Sequence, residues 1–293
     1  MSVLSRFWDR TLFAPSSGVG LAAFRIAFAL FMLGYLGAMT PHVPLLFSSH
    51  GVYVPYLVPD LAPPPLGAWL LYLAMLGATV SLLVGYRTTL SAWCLCLLFA
   101  HHYFLQLAIK QSSFDRLIGI YLLILCFAGA GSTWSLDARA GRARPTSVWA
   151  ERMIMFQTVA LYFGAGFWKA VNPHWHGGEM MWFTLQGMFA TDVGFAIVRL
   201  GLPAWVWDAA TIGIIVAEIV LGMAFLFRRL RPSAIVAGTF FHLANCVILN
   251  IPEFIISITP YAVFMRDETL QRWQARVAAL FSRAPDAPPA ASP

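Results

Sequence analysis

Eight apolar stretches, at residues 18–39, 66–85, 89–109, 115–131, 151–171, 207–227, 233–250 and 252–265, take up most of this chain. A helix needs roughly 20 apolar residues to cross a bilayer core of about 30 Å, so all but the last, short stretch are near spanning length. Backbone that enters lipid must satisfy every N–H and C=O within the protein, which leaves helices or a closed barrel. Continuous apolar runs of this length, without strand-like alternation, read as helices.

Composition closes the soluble alternative. The chain has 293 residues, of which 59% are hydrophobic and 11% charged, where soluble domains carry about 25% charged residues. Its net charge of +6 comes from arginines clustered between the apolar runs. That distribution marks topology rather than nucleic-acid binding. Cys94, Cys96, Cys126 and Cys246 lie inside apolar runs with no metal or disulfide spacing, so they read as small buried hydrophobes and no metal site is expected. Nothing at the N-terminus reads as a cleavable signal.

Residues 179–200 are apolar but interrupted by Gln186, Gly187, Asp192, Gly194 and Arg199, the pattern of an amphipathic or re-entrant segment. Leaving them out of the count places the arginine clusters on one side: Arg6 and Arg10; Arg87; Arg139, Arg142, Arg144 and Arg152; Arg228, Arg229 and Arg231; and Arg266, Arg272, Arg276 and Arg283. By the positive-inside rule that side is cytoplasmic, together with both termini. The segment from Thr40 to Pro65, with no Lys or Arg, falls on the other side. The expected fold is all-α, a polytopic membrane helix bundle of about eight transmembrane helices plus one amphipathic or re-entrant segment. It forms one domain over residues 1–283, surrounded by membrane lipid, with a disordered Pro/Ala/Ser tail at 284–293.

Polar groups inside lipid are costly and therefore candidates for function. Lys169 stands out: it is one of only two lysines beside seventeen arginines, in the run Tyr162-Phe163-Gly164-Ala165-Gly166-Phe167-Trp168-Lys169. Arginine keeps its charge almost anywhere, whereas a desolvated lysine can act as a neutral base. Gly164 and Gly166 permit close approach of a helix or a flat ligand, and Trp168 offers an aromatic face. Snorkelling to water is the competing reading for Lys169.

Arg25, one third of the way into the first run, reads equally as an anion or carbonyl contact and as a snorkelling cation. Glu218 reads as a proton acceptor or as the partner of a buried cation. His242 and Asn245, three residues apart, share a helix face and form either a ligand-binding pair or polar glue between helices. His101, His102 and Gln106 fit interhelical hydrogen bonds. Lys110, Asp115 and Arg116, with Ser112 or Ser113 as the cap, fit a helix start with an ion pair. His174, Trp175 and His176 are spaced poorly for a metal and well for an interfacial anchor.

Five motifs occur in order along the chain: Pro15 to Arg25 with its Ala-Phe-Arg; Gly85-Tyr86-Arg87; Trp134-Ser135-Leu136-Asp137; Tyr162 to Lys169 followed by Trp175 and Gly177; and Phe241-His242-Leu243-Ala244-Asn245 followed by Ile251-Pro252-Glu253-Phe254. Taken together, they resemble a known family, the membrane region of vitamin K-dependent γ-glutamyl carboxylase and its shorter bacterial relatives, the horizontally transferred transmembrane (HTTM) domain proteins. The order and spacing of the motifs extend over residues 15 to 265. The resemblance implies oxidation of a reduced naphthoquinone (vitamin K or menaquinol type) by O₂, begun by a lysine base that matches Lys169. Trp168 would pack the quinone ring, His242 would act with Asn245 on a quinone oxygen, Glu218 would line the cofactor site, and Arg25 would be a more remote contact. It also implies a bacterial inner membrane and room for a peptide partner at the non-cytoplasmic face. Gly131-Ser132 stands where the family carries Asn-His, and the family's large lumenal domain has no counterpart in these residues. Quinol chemistry is therefore expected, and peptide carboxylation is not. The alternative expectation is a non-enzymatic scaffold or maturation partner that binds a lipid or small secreted peptide.

Overall fold

The computed structural model describes residues 8–9, 11–51, 61–106 and 112–282. Lys110, Arg6, Arg10 and the tail at 284–293 lie outside the described residues. Among the described residues the chain is all-α. Its helices are α1 (Val19–Met39), α2 (Val43–Phe47), α3 (Pro65–Val84), α4 (Thr88–Gln106), α5 (Ser113–Phe127), α6 (Leu136–Arg139), α7 (Trp149–Val171), α8 (Glu179–Thr184), α9 (Asp192–Arg199), α10 (Ala204–Leu226), α11 (Arg231–Ile248) and α12 (Asp267–Ser282). A 3₁₀ segment, Pro252–Phe264, lies between α11 and α12.

Four stretches are long and apolar enough to cross a membrane: Val19–Phe47, Pro65–Val84, Thr88–Gln106 and Ala204–Leu226. Helix α7 matches α10 in length at 23 residues but carries Glu151, Arg152 and Lys169. The shortness of the last apolar stretch has a geometric answer. A 3₁₀ helix rises about 2.0 Å per residue, so the 13 residues from Pro252 to Phe264 reach about 26 Å, against about 20 Å if they were α-helical. Residues 179–200 resolve into α8 and α9; the eight residues of α9 rise about 12 Å, far short of a crossing.

Helix boundaries follow local chemistry. Proline at the first helical turn, where its missing N–H costs nothing, opens α3 and α11. Ser112 accepts the N–H of Phe114 to cap α5, and Thr191 accepts that of Gly194 to cap α9. The core gathers around α1. Phe24 and Phe28 meet the ring of Tyr121 edge-on at 5.1 and 5.9 Å. Helix α1 packs on α3 and the 3₁₀ segment, α4 joins α3 to α5, and α7 pairs with α10.

One end of the bundle collects the arginines. There Ser16 donates to Glu151 at 3.0 Å and Ser17 to Asp267 at 2.6 Å, tying the start of α1 to α7 and α12. Lys169 lies at the other end, twenty residues up α7 from Trp149, or about 30 Å. At that far end the side chains read above as interhelical glue join α4 to the short helix α2 and to the segment before α3. His101 Nε2 is 3.1 Å from Leu61 O, Gln106 donates to Leu46 O at 2.6 Å, and His102 stacks on Phe47 at 4.1 Å. Asp115 accepts the hydroxyl of Tyr35 at 2.6 Å. Of the cysteines, Cys126 is buried but Cys94 is exposed on the outside of the bundle.

Candidate functional site

Tyr162, Gly166 and Lys169 recur at i, i+4 and i+7, so they form one face of α7. That face meets α10 where Gly166 carries no side chain. A Cβ there would stand 2.7 Å from Ile219 and 3.3 Å from the Cβ of Glu218. The close approach lets Lys169 Nζ donate to both carboxylate oxygens of Glu218, each at 2.7 Å. The Glu218 side chain retains 9% exposure and that of Lys169 17%, so the pair is largely out of solvent but open on the lysine side. On that side Nζ lies 5.2 Å from the centroid of the Trp175 ring, within cation–π range. Trp175 is positioned by a short 3₁₀ turn, Pro173–Trp175, capped by Asn172 through the N–H of His174.

Two turns below, Tyr162 bonds through its hydroxyl to His242 Nε2 at 2.8 Å and to the hydroxyl of Tyr261. The three come from α7, α11 and the 3₁₀ segment. Gly238 makes room for them, since a Cβ there would collide with both tyrosine hydroxyls. Phe225 stacks on Tyr162 at 5.8 Å and closes the network from α10. His242 Nδ1 is buried and has no hydrogen-bond partner among the described residues. Stacked along α7 are thus the Lys169–Glu218 pair and, beneath it, a Tyr–His–Tyr network. Such an arrangement can accept, hold and pass a proton.

The structure brings some sequence candidates together and separates others. Lys169 and Glu218 are direct partners. His242 joins through Tyr162. Asn245 donates to Phe241 O on its own helix at 2.8 Å and shares no hydrogen bond with His242. Trp168 is 63% exposed and turned outward, and Trp175 takes the place beside Lys169. Tyr162 and Tyr261 were not singled out. The signal for Tyr162 was its spacing of seven from Lys169; nothing in the sequence singles out Tyr261. Among the described residues no group of three or more His, Cys, Asp or Glu is placed to hold a metal ion.

Arg25 lies in the arginine-rich end, fully buried, and donates to Ala130 O at 2.7 Å and Trp134 O at 2.5 Å. Nearby, Asp137 accepts from the N–H of Arg87 at 3.0 Å, and from the N–H and hydroxyl of Thr88 at 2.7 and 2.8 Å. The two non-glycine residues with positive φ among the described residues are Arg87 (43°) and Trp134 (50°). Both are held by this cluster, which offsets the roughly 1–3 kcal/mol such conformations cost. Three sequence motifs far apart in the chain, Ala-Phe-Arg, Gly-Tyr-Arg and Trp-Ser-Leu-Asp, are therefore one structural clamp. Gly131 belongs to it too, because a Cβ there would lie 2.5 Å from the Thr88 hydroxyl. No larger side chain fits.

Burial alone would raise the Asp137 carboxyl, but the hydrogen bonds from Thr88, Arg87 and Arg142 outweigh it and hold the group below its ordinary value of 3.8. A depressed folded value means the stabilisation is present above the unfolded value and is lost as pH falls through the folded one. Melting temperature in detergent is expected to drop as pH falls from about 5 to about 3. Asp137→Asn, already destabilised at neutral pH, should show a smaller drop; an equal drop in both proteins would remove Asp137 from the account.

A family model described as the HTTM domain matches residues 13–268. No curated protein and no solved structure matches the chain.

Proposed function

The chain belongs to the HTTM domain family, and on that footing we propose that it is a membrane-embedded oxidoreductase acting on a reduced quinone, with the Lys169–Glu218 pair receiving the quinol proton. The observation that carries this reading is the bidentate contact itself, with Nζ 2.7 Å from both oxygens of Glu218. A proton can sit on either partner of so short a pair. Passing it from Lys169 to the carboxylate leaves a free amine, which takes the hydroxyl proton and becomes an ammonium ion beside the new oxyanion. No net charge has to enter the membrane for the base to form. That is the advantage of a paired lysine over a lone one.

Trp175 supplies the flat face against which an aromatic ring would stack, in place of Trp168. The Tyr162–His242–Tyr261 network lies on the buried side of the pair and would carry the proton onward. The oxidant in this reading is O₂. Carboxylation of a peptide is not part of it, since Gly131-Ser132 stands where the resemblance would put Asn-His and Gly131 belongs to the clamp at the opposite end. The arginine clusters support cytoplasmic termini, an orientation that would put Lys169 toward the non-cytoplasmic face of a bacterial inner membrane.

The test is aerobic turnover of a reduced naphthoquinone by the purified protein, followed by quinone absorbance. Oxidation above the uncatalysed rate is expected from the wild type and not from Lys169→Ala. Equal rates for the two would end the assignment. A second reading, an acyl-chain binder without catalysis, draws on an apolar groove of about 690 Å³ between α1 and the 3₁₀ segment, lined by Phe31, Tyr35, Ile255 and Ile258 among others. It gains only if an acyl lipid copurifies and Lys169→Ala retains it with no quinol turnover in either protein.

A further inference from the structure

At the arginine-rich end, the α10–α11 turn, the start of α7 and the first turns of α12 enclose a cavity of about 750 Å³. Four arginines line it, Arg228, Arg231, Arg266 and Arg272, with three carboxylates, Glu151, Asp267 and Glu268. The opposite charges do not pair. Among the described residues none of the four guanidinium groups forms an ion pair. Glu151 and Asp267 are engaged instead by the hydroxyls of Ser16 and Ser17. The partners that hold the arginines are neutral: Arg231 donates to Phe225 O at 3.1 Å and lies over the Phe264 ring, and Arg272 donates to Glu268 O and weakly to Thr269. Four cations around one cavity, two of them oriented by these contacts and each with donors to spare, form a site for an anion with several oxygens.

A second observation fixes the depth of this cavity. Helix α12 is docked at its first turns, where Leu270 is buried. Beyond that point Trp273, Val277 and Leu280, spaced i, i+4 and i+7, are all exposed on one face. Arg272 and Arg276 border that face along one edge. An apolar stripe led by a tryptophan and bordered by arginines, directly after the last apolar segment, is the pattern of a helix lying in the lipid interface. Arg272 is then at headgroup level, and so is the cavity it lines.

We propose that this cavity binds the phosphate group of an anionic membrane lipid, held by Arg228, Arg231, Arg266 and Arg272, with α12 resting on the same leaflet. The site is independent of the quinol reading and would stand if that reading failed. Its consequence is a specific lipid bound where α1, α7, α10 and α12 converge.

The test is native mass spectrometry of the detergent-purified full chain titrated with phosphatidylglycerol, with phosphatidylcholine as the neutral lipid. Phosphatidylglycerol is expected to bind at least tenfold more tightly. Each lost guanidinium should weaken it about fivefold, so Arg272→Gln is expected to lose about that factor and Arg228→Gln with Arg231→Gln considerably more. Arg276→Gln, on the same helix but outside the cavity, removes the same charge and should change binding little. Equal binding of the two lipids, or an equal loss in Arg276→Gln and Arg272→Gln, would overturn the site. Inorganic phosphate that displaced the lipid fully at millimolar concentration would overturn the lipid as its source. Because Arg272 and Arg276 are both exposed, neither single variant depends on a risky fold.

Discussion

Lys169→Met is expected to destabilise the protein by about 3–5 kcal/mol, the usual cost of stranding one member of a buried ion pair. The double variant Lys169→Met with Glu218→Gln should recover most of that loss, because neither charge then remains in the α7–α10 interface. The asymmetry follows from geometry. Glu218 has both oxygens on Lys169 and makes no other side-chain hydrogen bond among the described residues, so once the lysine is gone it must take up a proton or draw in water. Thermal unfolding in detergent would show the rescue, read as a double-mutant cycle. Activity should not follow stability. The double variant is expected to be folded and inactive, which separates a proton-accepting pair from a structural staple. Additive losses in the two single variants would mean that the two groups act independently and that the contact has little energetic meaning. A folded double variant that still turned over quinol would remove the pair from the chemistry.

How much of this was legible depends on whether the signal was local. Hydropathy located the helices within a few residues: α1 begins at Val19 where the apolar run begins at 18, and α10 ends at Leu226 where its run ends at 227. The apolar composition of the α7 face likewise marked Lys169, because a cation there is expensive wherever the helix packs. Glu218, 49 residues away, carried the same warning, but only the fold could match the two. That Trp175 rather than Trp168 lies beside Lys169 has a simple cause. Adjacent residues on a helix point about 100° apart, so Trp168 cannot share the direction of Lys169, whereas Trp175 returns over it through a turn that Asn172 caps. Tyr261 was hidden for another reason. It lies in a 3₁₀ segment, where period-three geometry replaces the pattern by which a helix face is read. Asn245, three residues from His242, was close enough to share its face, yet its amide was satisfied more cheaply by Phe241 O within the same helix.

Arg25 is a motif residue whose side chain donates to two backbone carbonyls, and it makes the sharper of the two stability predictions. Arg25→Ala is expected to lose about 3–6 kcal/mol, from two charge-assisted hydrogen bonds at about 1.5–3 kcal/mol each, before any cost of the cavity left behind. Ala130 O and Trp134 O would be left without their donor, and the positive φ of Trp134 would lose its restraint. Arg25→Lys keeps the charge but replaces a planar fork by a single ammonium, which cannot span both carbonyls, so at least half the loss should persist. Asp137→Asn loosens the same loop through Arg87 and Thr88, so its effect should add incompletely to that of Arg25→Ala. Size-exclusion of heated samples gives the measurement. Wild-type melting in Arg25→Ala together with weakened quinone binding would reverse the assignment, making Arg25 the ligand contact that its place in the first span also allows.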